Sequence, residues 1–300
     1  MPALIAAIER AFATPPIMPP RTHHTIANGE GADGHLLLMP TWREGGHIGV
    51  KILTLLPWLG AVGKPAIRAS YIVSDAATGD LLAVMDGAEI TRRRTAATSA
   101  LASRYLSRPD SKTLLVIGAG ALANPLIEAH GAVRTFDRVL VWARRPERAD
   151  IVARAARAAG FNAAAAGELE DAVRKADIVC CATASDKPLV RGAWLSPGMH
   201  LDLIGAYTPA MCEADPAAVA RSVVIVDDRE AAQREAGDLI QAEAAGLFRM
   251  SDIAASLTDL AKGRSQGRGD EQAVTLFKSV GLALEDLAAA DLILAGAPRS

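Results

Sequence analysis

The chain has 300 residues, half of them hydrophobic and 22% charged, with a formal net charge of -2 at pH 7. That balance gives no basic field for nucleic acid or an anionic membrane surface, and an aromatic content of 4% offers no stacking platform for bases. The cysteines are Cys180, Cys181 and Cys212; their odd number and the absence of CxxC spacing speak against a disulfide framework, and no metal site is expected.

Residues 3–13 carry apolar positions at helical spacing, and Pro15-Pro16 ends that helix. Glu9 and Arg10 interrupt its apolar stretch and no basic region precedes it, so it does not read as a signal peptide. The longest uncharged run, Thr113 to Ile127, contains Gly118, Gly120 and Pro125 and is too short for a membrane span. The expectation is a cytoplasmic protein.

A Pro-rich segment then delivers Arg21. Residues 35–40, 47–54 and 70–74 read as strands, 75–80 as a turn, and 81–85 as its hairpin partner. From Ala88 to Leu106 the pattern becomes a long helix. From Lys112 onward, short apolar strands alternate with helices, which implies right-handed crossovers and a parallel sheet. Gly263 to Asp270 reads as a surface loop. The stretch from Ala273 to Ala289 reads as a strand-like start running into a helix that packs back on the first domain.

The expected fold is therefore α/β, with a dinucleotide-binding domain inserted in a discontinuous α+β domain. The expected boundaries are 109–270 for the inserted domain and 1–108 plus 271–300 for the other.

Gly118-Ala119-Gly120-Ala121-Leu122-Ala123 matches G-x-G-x-x-A directly after an apolar strand and at the opening of a helix. The first glycine permits the tight turn, the second lets backbone approach a pyrophosphate, and Ala123 allows close helix packing. Backbone N–H groups and the positive end of the helix dipole then face the phosphates. This is the fingerprint of a Rossmann domain, so a nicotinamide dinucleotide is the expected cofactor. At the end of the next strand, where an acidic residue would bind an NAD ribose, stand Arg144 and Arg145. Two guanidinium groups suit a 2'-phosphate, which points to NADPH, with NADH as the alternative. A solvated arginine pair is the plainer reading. Ala182, Thr183 and Ala184 follow a later strand and are placed by fold analogy at the nicotinamide end.

Two cations sit where solvation is awkward. Lys51 projects from a strand interior, on the face opposite Ile48, Val50 and Ile52. Arg94 shares a helical stripe with Ile90, Ala97, Thr98 and Leu101. Such an arginine either pairs with an anion or extends its head to solvent. His23, His24 and His47 are further candidate acids, although adjacent or strand-end histidines are commonly surface residues. Cys180 and Cys181 read as packing residues of a buried strand.

The runs Met39-Pro40, Gly49-Val50-Lys51, Asp86-Gly87, Arg94 to Leu101, Gly118-Ala119-Gly120, Glu235 to Asp238 and Thr275 to Gly281 resemble the ornithine cyclodeaminase/mu-crystallin family over nearly the whole chain. The resemblance implies a substrate and dimerisation domain built from both termini, a homodimer, and a substrate carboxylate held by Arg21, Lys51 and Arg94. Lys51 and Arg94 would then have the substrate as their anionic partner.

One departure bears on activity. Where ornithine cyclodeaminases carry an Asp, this sequence has Tyr207, followed by Thr208. A phenol is neutral near pH 7 and supplies no negative charge to a distal ammonium. The segment around Tyr207 is similar instead to family members that reduce cyclic ketimines. The resemblance thus implies hydride transfer from NADPH or NADH to a cyclic imino acid, Δ1-pyrroline-2-carboxylate or its six-membered homologue, giving L-proline or L-pipecolate. Lys51 and Arg94 would be catalytic, and Arg21, Lys51, Arg94, Tyr207 and Thr208 would bind substrate. The alternatives are an ornithine cyclodeaminase-type lyase, a non-catalytic mu-crystallin-like binding protein, and an amino-acid dehydrogenase of open-chain keto acids.

Overall fold

A computed structural model describes residues 1–29, 31–64 and 66–297, so the last three residues of the expected first domain lie outside it. The fold is α/β, and the chain divides into two compact units, Met1–Ile5 with Thr95–Gly281 and Ala6–Arg94 with Leu282–Ser300.

The second of these units is built on a five-stranded antiparallel sheet in sequence order, β1 (Thr22–Ile26), β2 (Gly34–Trp42), β3 (His47–Leu55), β4 (Ile67–Asp75) and β5 (Leu81–Asp86). Side-chain alternation along β3 buries Gly49 and Lys51 and leaves Ile48 exposed, so the polar face is the covered one. The helix Ala283–Gly296 packs on β2 and β3 and supplies that cover. β1 was not expected. Among the described residues it is an edge strand pairing only with β2, and its residues Thr22 to Thr25 are all exposed, so no hydrophobic alternation marks it.

The other unit carries an eight-stranded sheet of parallel neighbours: β6 (Thr113–Ile117), β7 (Arg138–Trp142), β8 (Ala163–Ala165), β9 (Ile178–Cys181), β10 (His200–Leu203), β11 (Ser222–Val226), β12 (Ala255–Ser256) and β13 (Val274–Lys278). Every residue of β9, β10 and β13 is buried, as a sheet covered on both faces requires. The spatial order is β12-β11-β13-β10-β9-β6-β7-β8. The chain runs outward from β6 to β8 and then returns to place β9 on the other side of β6. The crevice beyond the carboxyl ends of β6 and β9 is thus the topological switch point.

Strand β13 corrects the expectation for residues 273–289. It does not pack back on the first domain but stands inside the parallel sheet, between β10 and β11. Only the helix that follows, Ala283–Gly296, belongs with the antiparallel sheet. A short apolar run has the same pattern in either setting, so its surroundings decide.

Candidate functional site

At the switch point, the loops after β6, β7 and β9 enclose a cavity of about 480 Å³, lined among others by Gly118, Ala119, Gly120, Arg144, Arg145, Arg148, Ala182, Thr183 and Ala184. That volume lies in the range of small-molecule and cofactor sites. Gly118 has φ of 117°, and a Cβ there would meet Ala182 O at 2.5 Å, so glycine is required twice over. Its N–H donates to Trp142 O at 2.9 Å, closing the turn over the end of β7. A Cβ on Gly120 would meet nothing within 4 Å; the space above it is open to a ligand. The helix Ala123–Gly131 starts directly behind and turns its N–H ends toward that space. These features fit a pyrophosphate bound by backbone.

Ala121 and Leu122, expected to bind cofactor, form the turn into this helix but do not line the cavity. Arg144 and Arg145 do line it and are exposed. Arg148 joins them from the helix Pro146–Ala158 and was not singled out from sequence, although it lies one helical turn beyond Arg145.

In the antiparallel-sheet unit, four ionisable side chains are packed together out of solvent. Asp286 Oδ2 lies 2.7 Å from Lys51 Nζ, and Asp286 Oδ1 accepts from Arg94 Nε at 3.0 Å. Glu285 Oε2 accepts from Arg94 Nη1 at 2.5 Å. Both acids stand in the first turn of the helix Ala283–Gly296, where the helix dipole favours negative charge. Lys51 Nζ also donates to Thr91 Oγ1 at 3.4 Å. Burial pulls the Lys51 ammonium down to about 8; Asp286 opposes that shift and Arg94 adds to it. Burial also acts to lower the Arg94 guanidinium, but Asp286 and Glu285 outweigh it and hold the group above its ordinary value.

This arrangement corrects one expectation. The anionic partners of Lys51 and Arg94 are Asp286 and Glu285 of the chain itself, not a substrate carboxylate alone. The pairing balances two cations with two anions, as burial demands. Beside them, Tyr71 is wholly buried opposite Lys51 in the strand ladder, and its hydroxyl occupies the space that a Cβ on Gly49 would need. Burial, with Asp286 and Asp291 adding, raises the Tyr71 phenol. The glycine of Gly49-Val50-Lys51 is thus explained by a tyrosine one strand away.

Arg21 is half-buried just before β1. His23 and His24 are exposed, and His47 Nδ1 lies 2.8 Å from Asp291 Oδ1. Tyr207 and Thr208 lie in the loop after β10, with Tyr207 exposed, and neither lines the cavity. Cys181 is a buried strand residue, as expected, but Cys180 does more than pack. Its thiol donates to Asp202 Oδ2 at 3.3 Å, in a closed cluster where Ser99 bonds both Asp202 and His130. His130, Cys180 and Asp202 are near enough to share an ion, yet they already bond one another and Ser99.

A model of the ornithine cyclodeaminase/mu-crystallin family matches residues 1–297. The chain is similar to a Delta(1)-pyrroline-2-carboxylate reductase of Paracoccus denitrificans, with 36% identity over 91% of this chain and 89% of that protein. Among solved structures it is similar to the Thermococcus litoralis Delta(1)-pyrroline-2-carboxylate reductase in complex with NADH and L-proline. The identity is 33% and the TM-score 0.91, over 97% of this chain and 91% of that one. An archaeal alanine dehydrogenase dimer with bound NAD is also similar, with 29% identity and a TM-score of 0.90 over 98% of this chain and 90% of that one.

Proposed function

The chain belongs to the ornithine cyclodeaminase/mu-crystallin family, and from that membership we propose that it reduces a cyclic ketimine 2-carboxylate with a nicotinamide dinucleotide. The product is the cyclic amino acid, L-proline from the five-membered ring and L-pipecolate from the six-membered one. The observation that carries this reading is the likeness, across 97% of the chain, to a reductase solved with NADH and L-proline. The glycine turn and its cavity at the switch point support the cofactor.

When bound, the dinucleotide supplies a hydride to C2 of the ring. Lys51 of the antiparallel-sheet unit supplies the proton. An iminium carbon accepts hydride better than a neutral imine, so a proton held near the ring nitrogen assists the reaction. Lys51 is suited to hold it: at neutral pH most of the ammonium is protonated, and with a value of about 8 it releases a proton far more readily than an exposed lysine. Of its three N–H donors, two have partners among the described residues, Asp286 and Thr91, which leaves one for the substrate. Arg94, held in place by Glu285 and Asp286, and Arg21 would offer guanidinium N–H donors to the substrate carboxylate. Tyr207 and Thr208 are further substrate contacts in this reading. Tyr207 lacks the charge for a distal ammonium, which argues against ornithine as substrate.

Arg144, Arg145 and Arg148 line the cavity, and their guanidinium groups would favour NADPH over NADH by pairing with a 2'-phosphate.

A homodimer is part of the same reading. The face of the antiparallel sheet opposite the helix Ala283–Gly296 carries the cross-strand row Pro40, Val50, Ile72 and Val84, flanked by the exposed Ile48 and Leu82. A second copy is the occupant best suited to it, and a similar alanine dehydrogenase is a dimer.

Oxidation of NADPH and of NADH with each ketimine, beside ornithine as a control, tests the activity. Turnover with at least one ring is expected, and none with either overturns it.

A further inference from the structure

Two runs that carry the family resemblance, Glu235 to Asp238 and Thr275 to Gly281, have no part in the chemistry above. In the parallel-sheet unit they converge on one buried carboxylate, Glu213. Lys278 Nζ, at the end of β13, lies 2.8 Å from Asp238 Oδ2, and both side chains are closed off from solvent. Asp238 Oδ1 accepts from the N–H groups of Glu213 at 2.6 Å and Ala214 at 3.0 Å. Glu213 Oε1 in turn accepts from Thr183 N at 2.6 Å and Thr183 Oγ1 at 2.9 Å, while its Oε2 accepts from Gly205 N at 2.6 Å.

The backbone is shaped to allow this. Gly205 has no room for a Cβ against Thr183 O, and Gly237 has none against Met211 O. Thr183 lines the cofactor cavity, whereas Glu213, Asp238 and Lys278 do not. An ion pair followed by hydrogen bonds thus runs from the core of the sheet to the cavity wall. A buried carboxylate serving three donors is costly to place unless those donors must be held.

We propose that Lys278, Asp238 and Glu213 form a positioning relay for the cofactor cavity, in which the ionised Glu213 fixes Thr183 and Gly205 and so sets dinucleotide affinity. The proposal rests on the reading of that cavity as the dinucleotide site. Ionised, Glu213 satisfies both amides and the Thr183 hydroxyl; protonated, it turns an O–H donor toward groups that need an acceptor. The groups facing it are Lys278 from β13, Asp238 from the helix Gly237–Ala244, and the amides that follow β9 and β10. Burial pushes the Glu213 carboxyl up to about 7, with Lys278 opposing and Asp238 adding. Among the described residues, the cavity lining holds three arginines and Asp186 but no histidine.

The test is an equilibrium titration of the wild type and of Glu213→Gln with NADH, followed by its fluorescence from about pH 6 to about pH 8. NADH is chosen because it lacks the 2'-phosphate, which itself titrates near about 6. Wild-type affinity is expected to fall as the pH drops through the range where Glu213 gains its proton. Glu213→Gln keeps the shape but sets an NH2 against an amide, so it should bind on the order of tenfold more weakly at the alkaline end and show no dependence across the window. A variant that binds as the wild type does, or that keeps the wild-type pH dependence, overturns the relay. Should circular dichroism find the variant unfolded, the wild-type profile decides, and a flat one overturns the relay. A wild type that binds no NADH at any pH overturns the reading of the cavity and the relay with it.

Discussion

Lys51 Nζ lies 2.7 Å from Asp286 Oδ2, with both side chains withdrawn from solvent, so the lysine proposed to protonate the substrate is oriented by a carboxylate in the first turn of the helix Ala283–Gly296. Burial outweighs that carboxylate and leaves the ammonium at about 8. The protonated form is lost as the pH rises through that value, so kcat/KM should decline above pH 8. Lys51→Arg keeps the charge but cannot release a proton at any accessible pH. It should lose about 10²- to 10⁴-fold in turnover and lose the alkaline limb with it. A wild-type profile that stays flat through pH 8 to 10 would sink Lys51 as the acid.

Asp286 serves Lys51 and Arg94 together, so Asp286→Asn leaves two buried cations to Glu285 alone. Breaking a buried ion pair from one side costs about 3–5 kcal/mol, a loss measurable by urea unfolding. The same substitution removes the largest influence that raises the Lys51 value, so the alkaline limb should move below pH 8. In the wild type the unfolded chain retains the Lys51 proton between about 8 and 10.5 while the folded chain has released it. This group therefore makes stability rise with pH through that window. Unchanged stability in Asp286→Asn would mean that the pair is not buried as described.

The cluster was half legible in the sequence. Strand alternation and helical spacing singled out Lys51 and Arg94 as cations in apolar settings, because each pattern reports which face a residue shares. Neither pattern reports what lies opposite. Glu285 and Asp286 fall in the first turn of a helix, where acids are common as partners of the helix dipole and carry no sign of a cation about 190 residues earlier in the chain. Glu213 and Asp238 were hidden for the same reason, since only the fold brings a loop, a helix start and β13 together. The glycine turn was legible because its chemistry is local: one strand, one turn and one helix suffice. β1 was missed for want of an apolar face, and β13 was assigned to the wrong sheet because its neighbours in space are far away in sequence.

The arginines at the end of β7 give a prediction about cofactor choice. Arg144→Ala with Arg145→Ala should raise the KM for NADPH by at least tenfold, since a charged hydrogen bond contributes about 1.5–3 kcal/mol. The KM for NADH should change little, because that cofactor presents only a hydroxyl there. Arg148 remains in the lining and will keep part of the selectivity. Equal losses for both cofactors would show that these side chains do not discriminate between them.

The open face of the antiparallel sheet gives the last prediction. Val84 is 64% exposed although its pairing with Ile72 fixes it on the face of the apolar row, and Leu82, at the irregularity in the same strand, is 44% exposed. Their exposure is hard to reconcile with an isolated chain in water, since a row of apolar side chains across four strands would favour association. The opposite face is already filled by the helix Ala283–Gly296 and by the ion cluster, so a partner has only this side to cover. A closed pair of copies would satisfy both sheets at once, because a two-fold axis sets each row against its own equivalent. Val84→Glu would bury a carboxylate without a partner in such an interface, where desolvation opposes it. Light scattering during gel filtration should therefore find a dimer for the wild type and a monomer for Val84→Glu at micromolar concentration. The variant should keep its dinucleotide affinity, because the cofactor cavity belongs to the other unit. A wild type that runs as a monomer, or a variant that stays dimeric, would require a different cover for this face.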